Sequence, residues 1–282
     1  MRDPVRIADR LIWRDGSFSE GPRRVPEETA LALTYNGGTY AVMMGTPHDL
    51  SDFAVGFSLN EGIIKAVGDI VSLDVIELDD GVEIRMWLAP ELAERISERR
   101  RQIAGPTGCG LCGIDSIAEA IRPAAIVSGG RSVLADEIMT ALASIEPLQK
   151  INHETRAVHA AGFWAPARGL VALREDVGRH NALDKLSGYI AQSQTDAGEG
   201  LVVLTSRVSV EMVQKTASIG APVMVAVSAP TALAIRTADA AGITLVAIAR
   251  NDGFEVFTHP ERIAASGEPR ARTTPTDKAH VA

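Results

Sequence analysis

Between Leu201 and Ile248 the chain alternates short apolar runs with amphipathic stretches that end in Gly. Leu201 to Thr205 is a run typical of a buried strand. Val210, Val213 and Ala217 then fall at helical spacing, up to Gly220. Pro222 to Val227 reads as a second strand. Pro230 opens a helix through Ala240, again closed by Gly, and Ile243 to Ile248 is a third strand. A strand–helix–strand–helix–strand order requires long crossovers, which pair strands in parallel and with right-handed connections. The expected core is therefore a parallel βαβαβ unit.

The rest of the chain reads as a smaller α+β part. Leu31, Leu33 and Tyr35 alternate with smaller residues ahead of the hairpin signal Asn36-Gly37-Gly38, and Tyr40 to Met44 returns. Thr46-Pro47 opens a helix through Asp49, Phe53, Phe57 and Ile63. Val71 to Leu78 and Val82 to Leu88 form a strand pair across Asp79-Asp80-Gly81. Helices are expected over 89–105, 114–121 and 132–145. The expected domains are a flexible arm over 1–25, an α+β part over 26–105, a Cys-bearing loop and short helix over 106–131, the main domain over 132–264, and a flexible tail over 265–282.

Composition excludes several classes. Charged residues make up 23% and apolar residues 46% of the 282, as in a soluble globular protein. The net charge of −8 argues against non-specific nucleic-acid binding, although one local pocket can still be cationic. No apolar run reaches 18 residues, so no membrane span is expected, and no apolar stretch follows Met1 to Arg6, so the cytoplasm is.

The two cysteines, Cys109 and Cys112, stand in one CxxC flanked by Gly108, Gly110 and Gly113. One pair excludes a disulfide scaffold. In a reducing compartment it points to redox, sulfur or metal chemistry. A zinc half-site completed by His153 and His159 is the main rival, at a spacing unlike that of zinc fingers. A thioredoxin-type site expects a strand-to-helix junction, and an inert buried pair does not need a glycine-rich loop.

Four further clusters carry candidate ligand contacts. Gly178-Arg179-His180-Asn181 precedes the stripe Leu183, Leu186, Ile190 and so lies at a helix start, where an anion is favoured. Thr205-Ser206-Arg207-Val208-Ser209, Ser228-Ala229-Pro230-Thr231 and Arg250-Asn251-Asp252-Gly253 each follow a strand, at the end of an open sheet where ligands bind. The plainer reading is helix capping with solvated charges. His159 by itself reads as structural.

Together these pieces resemble the FdhD family, the formate dehydrogenase accessory sulfurtransferases. The resemblance runs from about Tyr35 to Ile263. It rests on Asn36-Gly37, Thr46-Pro47, Asp52 to Phe57, Glu61 to Ile64, Cys109 to Gly113, Glu175 to Lys185, Ser206 to Ser209 and Ser228 to Thr231. It implies a cytidine-deaminase-like main domain and a homodimer. It implies that Cys109 takes a persulfide from a cysteine desulfurase and that Cys112 assists. The sulfur then passes to the molybdenum (or tungsten) bis(molybdopterin guanine dinucleotide) cofactor used by the formate dehydrogenase catalytic subunit, with GDP as a fragment mimic of that cofactor. Carried over with it, the cofactor-contact stretch is Ile248, Ala249, Arg250, Asn251, Asp252 and Gly253. The clusters themselves add His159, Arg179, His180, Asn181, Ser206, Arg207, Ser228, Ala229, Pro230 and Thr231 as candidate contacts to the cofactor's phosphates and guanine. The chain departs from the family at Thr155-Arg156-Ala157-Val158-His159, where Thr-Gly-Gly-x-His is usual.

Overall fold

The computed structural model describes residues 2–92 and 122–265. The expected parallel unit is present. Strands β10 (Leu201–Leu204), β11 (Val223–Ala226) and β12 (Thr244–Arg250) pair in parallel. They are joined by α5 (Val210–Ile219) and α6 (Ala232–Ala241). Each of these helices stops at a glycine in the left-handed region, Gly220 at φ 82° and Gly242 at φ 73°.

The sheet is wider than the sequence suggests. On one side β8 (His159–Ala165) pairs antiparallel with β10, and β9 (Gly169–Asp176) follows it. On the other, β13 (Gly253–Val256) turns back along β12, giving the order β13-β12-β11-β10-β8-β9. Alternation along β10 supplies both faces. Val202 and Leu204 join the core under α5, α6 and α4 (Arg179–Gln192), while Leu201 and Val203 pack against Ile138, Ala141 and Ile145 of α2 (Ala135–Ile145).

The α+β part is a second sheet, ordered β4-β3-β6-β5, formed by β3 (Thr29–Tyr35), β4 (Gly38–Gly45), β5 (Ile70–Leu78) and β6 (Gly81–Leu88). Leu31, Leu33, Ile84 and Met86 bury against Phe53 and Phe57 of α1 (Leu50–Asn60). This helix starts three residues after Pro47 and ends before Ile63, because Gly62 at φ 66° breaks it.

The two parts meet where α1 crosses α4. A Cβ on Gly56 would stand 1.7 Å from the backbone oxygen of Asp184, and one on Gly188 1.9 Å from that of Asp52. Only glycine allows this approach. Gly56→Ala is therefore expected to cost about 3 kcal/mol, the upper range for overpacking, read as a fall in denaturant midpoint. Wild-type stability would show that the helices can part freely.

Residues 5–26 correct the expectation of an arm without regular structure. They form a hairpin of β1 (Val5–Arg14) and β2 (Ser17–Pro26). Its turn is Asp15-Gly16, both at positive φ (51° and 77°), the pair a two-residue hairpin requires. The helix expected over 89–105 is described only as far as Leu92, helical from Pro90; its remainder, the helix expected over 114–121, most of the Cys-bearing segment and the tail from 266 lie outside the described residues.

Candidate functional site

The registers bring the candidate segments to one sheet edge. His159, opening β8, pairs with Asp176, closing β9. Thr205, just past β10, donates its N–H to the carbonyl of Ala160 (3.1 Å) and accepts from the Ala160 N–H at Oγ1 (2.8 Å). Val227 donates to Leu204, Thr231 to Val208, and Ile248 to the carbonyl of Ser228. The start of β8, the start of α4 and the ends of β10, β11 and β12 thus lie side by side. Five strands at about 4.8 Å spacing make this edge roughly 19 Å wide.

Its central part is cationic. Burial, then the positive charges of Arg179 and Arg207, push the His159 imidazole below its ordinary value, with His180 acting in the same direction. Four basic side chains from three segments therefore share one neighbourhood. Two buried nitrogens there, Arg179 Nε and His180 Nε2, have no hydrogen-bond partner. His180 Nε2 stands 3.9 Å from Glu211 Oε2, the range of an ion pair. Ser209 Oγ donates to the same oxygen at 2.6 Å. His180 first, and then Ser209, hold the Glu211 carboxyl at about 2. Glu211 is the acidic group of this edge that the sequence reading missed, and its signal was an acid in the first turn of α5. With His180 turned to Glu211, Arg179 Nε is the unpaired buried donor beside the helix N-terminus, and it suits an oxyanion.

Other candidates serve the frame as well as the edge. Asn181 is buried, and its amide donates to Met44 O (2.9 Å) and Asp176 Oδ1 (3.1 Å). Ser206 Oγ donates to Arg207 O (3.1 Å), and Thr231 Oγ1 caps α6 by accepting from Ala234 N (3.2 Å). Arg250 Nη1 donates to the carbonyl of Val227 and to that of Ala249 (3.2 Å), tying the end of β12 to the β11 loop that runs on to Ala229 and Pro230. Ile248 sits at φ 51°, where a β-branched residue is strained, at the register shift between Ala247 and Arg250. Asn251 and Asp252 form the exposed turn before Gly253. Cys109 and Cys112 lie outside the described residues.

A cavity of about 490 Å³ opens elsewhere, between the base of the β1–β2 hairpin and α3 (Lys150–Thr155). It holds none of the edge residues, and its Arg24 and His48 already pair with Glu154 and Asp49. Among the described residues no three His, Cys, Asp or Glu side chains gather as a metal set. His153 sits 3.2 Å from Glu146, while His159 faces Arg179 and Arg207.

Residues 26–264 match the model of the FdhD/NarQ family. The chain belongs to the FdhD/NarQ family. The "Sulfur carrier protein FdhD" of Agrobacterium fabrum is 52% identical over 259 residues, covering 92% of this chain and 95% of that protein. The protein of the same name in Cupriavidus necator is 47% identical over 252 residues, covering 89% and 87%. A crystal structure from Desulfotalea psychrophila, described as a formate dehydrogenase accessory protein, superposes with a TM-score of 0.74 at 27% identity, covering 93% of this chain and all of that one.

The expected mixed α/β architecture therefore stands. The family string from Glu175 to Lys185 has two tasks. Glu175 accepts the N–H groups of Ile151 (2.9 Å) and Asn152 (2.8 Å), capping α3. Asp176, Asn181, Asp184 and Lys185 are buried and tie α4 to the α+β part. Arg179 and His180 are left facing the edge. Arg156, which replaces the family's first Gly, ends α3 at φ 57°, the left-handed conformation that Gly adopts without strain.

Proposed function

We propose that the chain carries sulfur as a persulfide on Cys109 and delivers it to a molybdenum or tungsten bis(molybdopterin guanine dinucleotide) cofactor for the formate dehydrogenase catalytic subunit, working as a homodimer in the cytoplasm. The observation that supports the cofactor half of this reading is the cationic edge with the unpartnered buried Arg179 Nε. The names of the relatives support the sulfur half. No described helix is long and apolar enough to cross a membrane.

Loading is a thiol exchange. The Cys109 thiolate attacks the terminal sulfur of a cysteine desulfurase persulfide, the donor S–S bond breaks, and the donor leaves as thiolate. For release, Cys112 attacks the Cys109 sulfur and sulfide departs, leaving a Cys109–Cys112 disulfide. The two thiols supply the two electrons, and a later dithiol reductant resets the pair. Meanwhile Arg179, His180 and Arg207 hold the cofactor's phosphates, with His159 and the Ser228–Thr231 and Ile248–Gly253 loops beside them.

Two tasks on two segments should separate by mutation. Arg207→Ala should weaken GDP binding roughly ten- to a hundredfold, the loss of one charge-assisted hydrogen bond. Persulfide loading at Cys109, read by intact mass after incubation with a desulfurase and cysteine, should persist. Bound phosphate should also raise the His159 titration, reversing part of the effect of Arg179 and Arg207. No GDP binding at millimolar concentration in low salt would overturn the site. Loss of loading with affinity intact would mean that the roles are reversed.

A further inference from the structure

No residue from Arg2 to Glu28 is buried, yet β1 and β2 form a regular ten-residue ladder. The pairs Trp13↔Phe18, Leu11↔Glu20 and Ile7↔Arg24 put one set of side chains on one face of this ribbon. On it, Ile7, Leu11, Trp13 and Phe18 are 71, 62, 65 and 67% exposed. Asp9, Glu20 and Arg24 also stand on that face, and Arg6, Arg10, Arg14 and Arg23 take the opposite one with Ile12. The base is fixed to α3, by Arg23 donating to Thr155 O (3.0 Å) and by the Arg24–Glu154 pair. A two-stranded ribbon alone is marginal in water, and an exposed apolar patch of this kind marks an interaction surface.

We propose that this ribbon is an exchanged arm, whose apolar face lies on a second copy of the chain, over the outer face of its four-stranded sheet. The inference rests on the homodimer proposed above and adds the surface that makes it. The outer face is suited to the task. The registers Ala30↔Met44 and Ala32↔Val42 place Met44 and Val42 opposite the buried Leu31 and Leu33, and Trp87 shares their side. These three are 50, 52 and 46% exposed.

Area and charge both favour a second copy as the occupant. Two aromatic and two aliphatic side chains, each about two-thirds exposed, offer roughly 400 Å² of apolar surface. Under twofold symmetry each copy buries one arm and one matching seat, which together reach roughly the 800 Å² per partner of a standard interface. Residues 2–26 carry six arginines against four carboxylates, in a chain of net charge −8. The arm is therefore positive and the body negative, so a second body attracts the arm. An anionic membrane or nucleic acid would be repelled by that same body.

Sedimentation of the full chain at micromolar concentration tests this. The wild type should run at twice the chain mass. Leu11→Asp with Trp13→Asp should raise the dimer dissociation constant about 100-fold or more, since exposed aromatic anchors carry most interface energy. Val42→Asp with Met44→Asp should do the same. Both pairs lie outside the buried cores, so melting curves should keep the monomer transition. A monomeric wild type overturns the arm and the homodimer together. A dimeric Leu11/Trp13 variant overturns the arm alone, and a dimeric Val42/Met44 variant overturns its seat. None of these readouts involves Cys109, so the sulfur reading fails or stands separately.

Discussion

Cys109→Ser should leave the chain unable to activate a formate dehydrogenase, while Cys112→Ser should retain part of that activity. The asymmetry follows from the proposed chemistry. A serine hydroxyl cannot attack a persulfide at neutral pH or hold a sulfane sulfur, so losing the carrier loses every turnover. Losing the second thiol removes only the internal electron donor for release, and an external thiol can substitute for it at a lower rate. Intact mass shows where each variant stops. Cys112→Ser should accumulate the added sulfur, and Cys109→Ser should gain none. Full client activation by Cys109→Ser, or loading at Cys112 in its place, would refute the assignment of the carrier.

The parallel core was legible because each of its signals is local. Largely apolar buried strands of four to seven residues and helices closed by Gly220 and Gly242 need no long-range information. The same holds for the loops at the strand ends, since strand direction alone assigns them to one edge. Strands β8 and β9 were not legible. Their Ala- and Gly-containing segment, His159-Ala160-Ala161-Gly162, has weak strand propensity and is made a strand by pairing with β10. The β1–β2 hairpin was passed over for a different reason: alternation with arginine made it read as polar, although Asp15-Gly16 is a hairpin signal. Most instructive is the string from Glu175 to Lys185. Its charges read as surface groups or ligand contacts, but only the fold shows that Asp176 and Lys185 are both fully buried and joined to each other.

That pair leads to the largest expected effect on stability. Lys185→Met should destabilise the protein by about 3–5 kcal/mol, the cost of removing one partner from a buried ion pair. Lys185 Nζ lies 2.7 Å from Asp176 Oδ2 and also donates to the carbonyls of Thr46 (3.0 Å) and Glu175 (3.3 Å). With the ammonium gone, Asp176 keeps the N–H groups of Thr46 (3.0 Å) and Gly178 (2.7 Å) and the amide of Asn181, so part of its charge remains supported. The two carbonyls lose a donor in a site closed to water. The melting temperature should fall by roughly 10 °C, at about 2–4 °C per kcal/mol for a chain of this size. Combining Lys185→Met with Asp176→Asn should cost less than the two changes added, because the second removes the stranded charge. The effect should also reach the cationic edge. Asp176 accepts the N–H of Gly178, the residue immediately before Arg179 and His180, so loosening it frees the start of α4. GDP affinity should therefore drop in Lys185→Met at temperatures where the chain is still folded, while Cys109 continues to load. A change in stability below 1 kcal/mol, or GDP affinity equal to wild type, would show that the buried pair and the edge are not coupled.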